Sequence, residues 1–116
     1  MEEIIGLLFH ARTIAHRAHL KTKSFSQHMA LGSFYDEVID FADKLAEAYQ
    51  GYEGIMKDIP LFSKVPTESI DDFLENQMKM IEKLRVNACK LSAIQNIIDE
   101  VIGLYLSTIY KLRNLS

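Results

Sequence analysis

Cysteine, proline and glycine are all scarce in this chain, and tryptophan is absent. The single cysteine, Cys89, excludes an internal disulfide and any cysteine-based zinc site, and it suits a reducing compartment. Two prolines (Pro60, Pro66) and five glycines in 116 residues leave too few turn signals for a sandwich or barrel. No apolar run approaches the ~20 residues of a membrane span, so no membrane partner is expected. The opening MEEIIGLLFH has neither the basic start nor the small-residue cleavage site of a signal peptide. A net charge of -3 excludes a nucleic-acid polymer as partner on bulk charge. No GxxxxGK[ST] phosphate loop occurs, and Cys89 sits in an apolar helix-end setting unsuited to a nucleophile. These absences point to a soluble, cytoplasmic, single-domain protein and give no support to nucleophilic catalysis.

What is present is helical periodicity. Ile4, Leu7, Leu8, Ala11, Ile14, Ala15 and Ala18 recur at three and four, predicting a helix over about 2–21. Ser24 is placed to cap a second helix over about 25–50, with Leu31, Phe34, Tyr35, Val38, Phe41, Ala42, Leu45 and Tyr49 on one face. Gly51 and Gly54 should end it, and Leu61 and Phe62 in the proline-containing connection should plug one end of the core. Thr67 should cap a third helix over about 67–87, with Ile70, Phe73, Leu74, Gln77, Ile81 and Leu84 inward and a buried Cys89 near its end. Ser92 and Gln95 form a capping-box pattern for a fourth helix over about 92–112. The expected fold is all-α: an antiparallel four-helix bundle of two helical hairpins with a longer middle connection. The apolar arc of the last helix, which includes Ile102, Leu104 and Leu106, is wider than one core stripe, so a contact with a second copy is expected.

Charge is segregated along the chain. Residues 4–35 contain no acid but carry Arg12, Arg17, Lys21, Lys23 and all four histidines, His10, His16, His19 and His28. Ile5, Phe9, Arg12, His16, His19 and Lys23 align as a second stripe on the first helix, offering several donors to an anion. Asp36, Asp40, Asp43 and Glu47 align on the second helix opposite its apolar face. Histidines and carboxylates are also the usual ligands of iron, manganese or zinc in helical bundles. His19 and His28 flank the first turn, whereas Asp43 and Glu47 lie about 22 and 28 Å further along the second helix at 1.5 Å per residue. One subunit cannot unite these four groups, but an antiparallel two-fold dimer can.

The spacing His28-x14-Asp43-x3-Glu47, with a histidine upstream, resembles the ferroxidase motif of Dps-type miniferritins. That resemblance implies a ferritin-like bundle holding iron or another divalent metal between two-fold mates, His19 and His28 from one copy and Asp43 and Glu47 from the other. His16 stands at the family's twelve-residue spacing and His19 beside the turn at nine; the aromatic that follows the first histidine is replaced by Arg17 or Leu20. The block HLKTKSFSQHMALGSFYDEVIDFADKLAEAYQG, His19 to Gly51, is similar to small proteins of tailed bacteriophages. That likeness implies a phage source and a place of action in the host cell cytoplasm. The leading expectation is a homo-oligomer, needing no cofactor, that captures a small anionic nucleotide-like ligand at a subunit interface. Its expected contacts are Phe9, Arg12, His16, His19, Lys23, His28 and Tyr35. The alternatives are the Dps-like ferroxidase and a helical protein-interaction module without ligand.

Overall fold

A computed structural model describes all residues 1–116. Four α-helices form: α1 (Glu2–Lys21), α2 (Phe25–Glu53), α3 (Ile70–Ala88) and α4 (Ser92–Asn114). α1 packs on α2 and α3, and α4 packs on the same two, so α1/α4 and α2/α3 are the diagonals of a square bundle. The core is made of the apolar stripes, with Ile4, Leu8, Leu31, Phe34, Leu74, Ile98 and Tyr105 almost fully shielded from solvent. The Phe34 and Tyr105 rings meet edge to face at 5.1 Å near its middle. Gln77 is the polar member: its Nε2 donates to the Leu7 carbonyl at 3.1 Å, and its Oε1 accepts from the Tyr105 hydroxyl at 2.7 Å.

Connectivity follows from those contacts. Gln77 meets Leu7, Ile70 lies beside Arg17 and Lys21, and Ala88 lies beside Met1, so α3 runs antiparallel to α1 and parallel to α2. The chain must therefore travel the length of the bundle between α2 and α3. Residues 54–69 do this as an extended strap over the α1/α3 edge. Pro60 reaches Gly6, Phe62 reaches His10, and Val65 and Pro66 reach Arg17. The close approach depends on Gly6, where a Cβ would lie 2.7 Å from the Pro60 carbonyl oxygen.

The strap corrects one expectation. Leu61 is 94% exposed and Phe62 38% exposed, so neither plugs the core. An extended strap can turn only part of its side chains inward, and Met56 and Ile59 are the residues packed on the core. Helix ends also move. α2 continues through Gly51 and stops at Gly54, whose φ of 94° is open to glycine at little cost. Ser24 caps α2 as expected, accepting from the Gln27 amide at 3.3 Å. α3 starts at Ile70, with Ser69 at the N-cap position but making no side-chain cap bond, and the Glu68 carboxylate turns back to accept from Asn76 at 3.2 Å. Thr67 therefore lies outside the helix. The Ser92 capping box does not form. Gln95 instead donates to the Arg85 and Cys89 carbonyls at 2.9 and 2.6 Å, satisfying acceptors left open where α3 ends. Cys89 is buried there as expected.

Candidate functional site: the two faces of the first helix

The face of α1 toward α2 holds an interlocked set of rings. His19 and His28 stack at 3.7 Å with their planes 20° apart. The His19 Nδ1–H donates to the His28 carbonyl at 2.6 Å, and the His28 Nδ1–H donates to the His19 carbonyl at 2.9 Å. A carbonyl can only accept, so each ring carries a proton on Nδ1, and Nε2 is the nitrogen left outside these bonds. The His19 carbonyl lies in the last turn of α1, where no helical N–H reaches it, so His28 serves as a C-terminal cap. Gly32 leaves the space for this pair, since a Cβ there would lie 3.1 Å from His19 Cε1. One turn down, His16 stacks flat on Tyr35 at 4.1 Å, and Tyr35 meets His19 edge to face at 5.2 Å. His16 is thus half-buried against α2 rather than turned away from the bundle.

The other candidate contacts lie apart from this stack along α1 and the turn after it. Phe9 is at the edge of exposure, Arg12 and Lys23 are exposed, and Ile5 at the lower end of the same stripe is fully buried. Asp36, Asp40, Asp43 and Glu47 are exposed on α2; Asp36 adjoins Tyr35 of the stack, while Asp43 and Glu47 lie toward the end away from the histidines. No group of three or more histidine, cysteine or carboxylate side chains converges on a metal-sized point within the chain. The stack also does not suit a shared ion. A ligated metal lies in the plane of each imidazole about 2.0–2.1 Å from its nitrogen, and nearly parallel planes at stacking distance do not meet there.

The face of α1 toward α3 was not among the expected contacts. Under the strap lies a cavity of about 460 Å³ whose walls include His10, Phe62, Phe73 and Met80. His10 meets Phe73 edge to face at 5.6 Å and lies 6.4 Å from Phe62. Higher along the same edge a cavity of about 190 Å³ is lined by Arg17 and Lys21 together with Val65 and Pro66. Glu68 lines both cavities. Its own backbone N–H, the Asn76 amide and the nearby Lys64 charge hold its carboxyl below the usual glutamate range. His10, Arg17 and Lys21 belong to the acid-free stretch, which was a usable signal. Nothing local marks Phe62, because its role depends on where the strap crosses.

The cations fall into two classes. Arg113 binds Asp71, Asp72 and Glu75 at 2.8–2.9 Å, and Arg85 binds Asp99 at 2.6 Å and Glu82 at 3.0 Å. Arg12, Arg17, Lys21 and Lys23 have no carboxylate within ion-pair distance, and neither do Lys57, Lys64, Lys83, Lys90 and Lys111.

Comparison with known proteins places this arrangement in a lineage. No helix is long and apolar enough to cross a membrane. No solved structure matches the chain. A relative from Enterobacteria phage T4, described as "Uncharacterized 14.6 kDa protein in mobD-ri intergenic region", is 34% identical over 118 residues, spanning 96% of this chain and 86% of that one. The model of a family of unknown function, DUF5856, matches residues 19–112, from the stacked His19 to the last buried turn of α4. The chain belongs to that family, DUF5856, which includes most of its bundle.

Proposed function

We propose that this protein is a non-catalytic, self-associating binding protein that captures a small anionic, nucleotide-like ligand through the cations of α1 and of the turn after it, and acts on a host nucleotide in the host cell cytoplasm. The observation that carries the reading is the acid-free stretch itself: Arg12, Arg17, Lys21 and Lys23 have neither a carboxylate within ion-pair distance nor any acid among residues 4–35, whereas Lys44, Lys79, Arg85 and Arg113 are paired. In a chain of net charge -3, that leaves one end of the α1/α2 hairpin positive and the other, with Asp40, Asp43 and Glu47, negative. A two-fold pairing that lays each positive end on the negative end of a second copy is favourable by charge. Leu106 and Tyr110 on α4, both more than half exposed, supply apolar surface for association.

The ferroxidase reading has one observation in its favour, the single long crossover that ferritin-like bundles share. The stacked His19 and His28 rings oppose it, because only one of them can serve a given ion. Metal analysis of protein purified without chelator separates the readings; about one iron per site would favour the ferroxidase.

Capture is tested by titrating the parent protein with ADP, ADP-ribose and cyclic AMP across a salt series, with light scattering on the same samples. Binding that weakens with salt is expected, together with its loss when Arg12, Arg17, Lys21 and Lys23 are all replaced by alanine. A parent that binds none of the three at millimolar concentration refutes capture. A scattering mass near 13.3 kDa at micromolar concentration removes the self-association.

A further inference from the structure

The α1/α3 edge carries three kinds of chemistry in a fixed order. The lower cavity, walled by His10, Phe62 and Phe73, offers aromatic faces in a volume within the ~300–1,000 Å³ of small-molecule sites. Next comes the Glu68 carboxylate, common to both cavities. Beyond it the upper cavity presents Arg17 and Lys21. His10 and Arg17 are seven residues apart on one helix, about 10 Å at 1.5 Å per residue. A ring-binding box, an acceptor for a diol and a pair of cations, in that order, match base, ribose and phosphates.

Resting on the capture reading above, we infer that the groove between α1 and α3, roofed by the strap, is a nucleoside 5′-diphosphate site. The base stacks among Phe62, Phe73 and His10, since every base has a π-face and stacking tolerates its identity. Glu68 accepts from the ribose hydroxyls, as carboxylates do at dinucleotide sites. Its bond from Asn76 and the charge of Lys64 hold it ionised, which is the acceptor-only state this role needs. Arg17 and Lys21 then take the phosphates through charge-assisted hydrogen bonds, and neither is committed to a carboxylate of the protein. Arg12, on the exposed face of α1, and Lys23, in the turn beyond α1, have no part in this site. The chain loops over the groove at a glycine, Gly6, where the backbone of the strap comes closer than any other residue would permit. The wall carrying Phe62 is thereby held against α1.

Calorimetric titration tests this with ADP and its 2′,3′-dideoxy analogue against the parent, Phe62→Ala, Arg17→Ala, Glu68→Gln and the Arg12→Ala/Lys23→Ala pair. Phe62, Arg17 and Glu68 are all solvent-accessible, and circular dichroism verifies that each variant is folded. Phe62→Ala and Arg17→Ala should each weaken ADP binding by about tenfold or more. Glu68→Gln should narrow the preference for ADP over the dideoxy analogue, and the Arg12/Lys23 pair should stay within about twofold of the parent. ADP binding that survives Phe62→Ala and Arg17→Ala but is lost in the Arg12/Lys23 pair overturns this site and leaves capture standing. A parent that binds no nucleotide ends the capture reading and this assignment with it.

Discussion

The Tyr105–Gln77–Leu7 bridge gives the most exacting test of how the bundle is held. Tyr105 is fully buried, and burial alone pushes its hydroxyl far above the ordinary tyrosine range, so it remains a donor at any working pH. It donates to Gln77 Oε1 at 2.7 Å, while Gln77 Nε2 donates to the Leu7 carbonyl at 3.1 Å. One side chain of α3 thus ties α4 to α1, the two helices it packs against, which lie diagonally opposite each other. Tyr105→Phe strands a buried amide oxygen, and Gln77→Leu strands a buried hydroxyl; each should cost about 1–3 kcal/mol, the penalty for an unsatisfied buried group. The double variant strands neither, and only the α1 carbonyl, whose ordinary partner lies in its own helix, loses a second bond. It should therefore be more stable than the sum of the single losses predicts, by about 1–2 kcal/mol. Urea denaturation with unchanged m-values is the measurement, cross-checked by thermal midpoints that should fall by about 4 °C per kcal/mol in a chain of this size. Additivity to within about 0.5 kcal/mol would show that the two groups do not depend on each other, and the reasoning would fail.

Two further outcomes follow from the same structure. Hydrogen bonds from Arg113 hold the Asp71 and Glu75 carboxyls below their ordinary values of 3.8 and 4.5. A depressed folded-state pKa contributes stability above the ordinary value and loses it as pH falls through the folded one. Arg113→Gln should therefore lower stability at pH 7 while the gap to the parent closes in acid, and a gap that widens below pH 4 in parallel denaturant titrations would contradict the assignment. At Gly6, alanine would gain about 1 kcal/mol of helix propensity on an open helix. Here its Cβ meets the Pro60 carbonyl oxygen at 2.7 Å and Phe62 Cε2 at 3.0 Å, so Gly6→Ala should destabilise by about 1–3 kcal/mol and loosen the strap, read as faster proteolysis within 54–69. A stabilised Gly6→Ala would mean that the strap does not rest on α1.

The helices and most of the core were legible because burial of an apolar stripe is local information: a repeat of three and four names the buried face before any partner is known. Ile4, Leu8, Leu31, Val38, Leu74, Ile81, Ile98 and Val101 all follow it. The failures occur where two segments compete for the same groups. Ser92 and Gln95 have the capping pattern, yet Gln95 finds the open carbonyls of Arg85 and Cys89 across the turn and takes those instead. Leu61 and Phe62 are apolar, but an extended crossover has no periodic face, so only the path of the strap decides that both border a cavity instead of filling the core. At the candidate site, placing His19 and His28 near each other needed only the short turn between α1 and α2. Their reciprocal bonds to each other's carbonyls needed the geometry of that turn.

An exposed cation without a partner costs little, since a surface ion pair is worth only about 0–1 kcal/mol, so its solitude says nothing by itself. The arrangement around α1 says more. A carboxylate one helical turn before Arg12, Arg17 or Lys21 would stabilise the helix by about 0.2–0.5 kcal/mol for each pair. Those positions hold Leu8, Thr13 and Arg17. Leu8 is committed to the core, but Thr13 is exposed and free of any tertiary contact role, and Arg17 itself places a like charge before Lys21. α3 and α4 take the opposite course, with Lys79 following Glu75 by four residues and Arg85 following Glu82 by three. α3 and α4 thus pair Lys79, Arg85 and Arg113 while leaving Lys83 and Lys111 open, whereas the acid-free stretch pairs none of its cations and leaves them facing outward along the two edges of α1. On one edge the stacked rings already fill the contact between α1 and α2; on the other the strap covers cavities with their polar ends open. Charge left free on a closed edge suits a second copy of the chain, and charge left free above an open cavity suits a ligand.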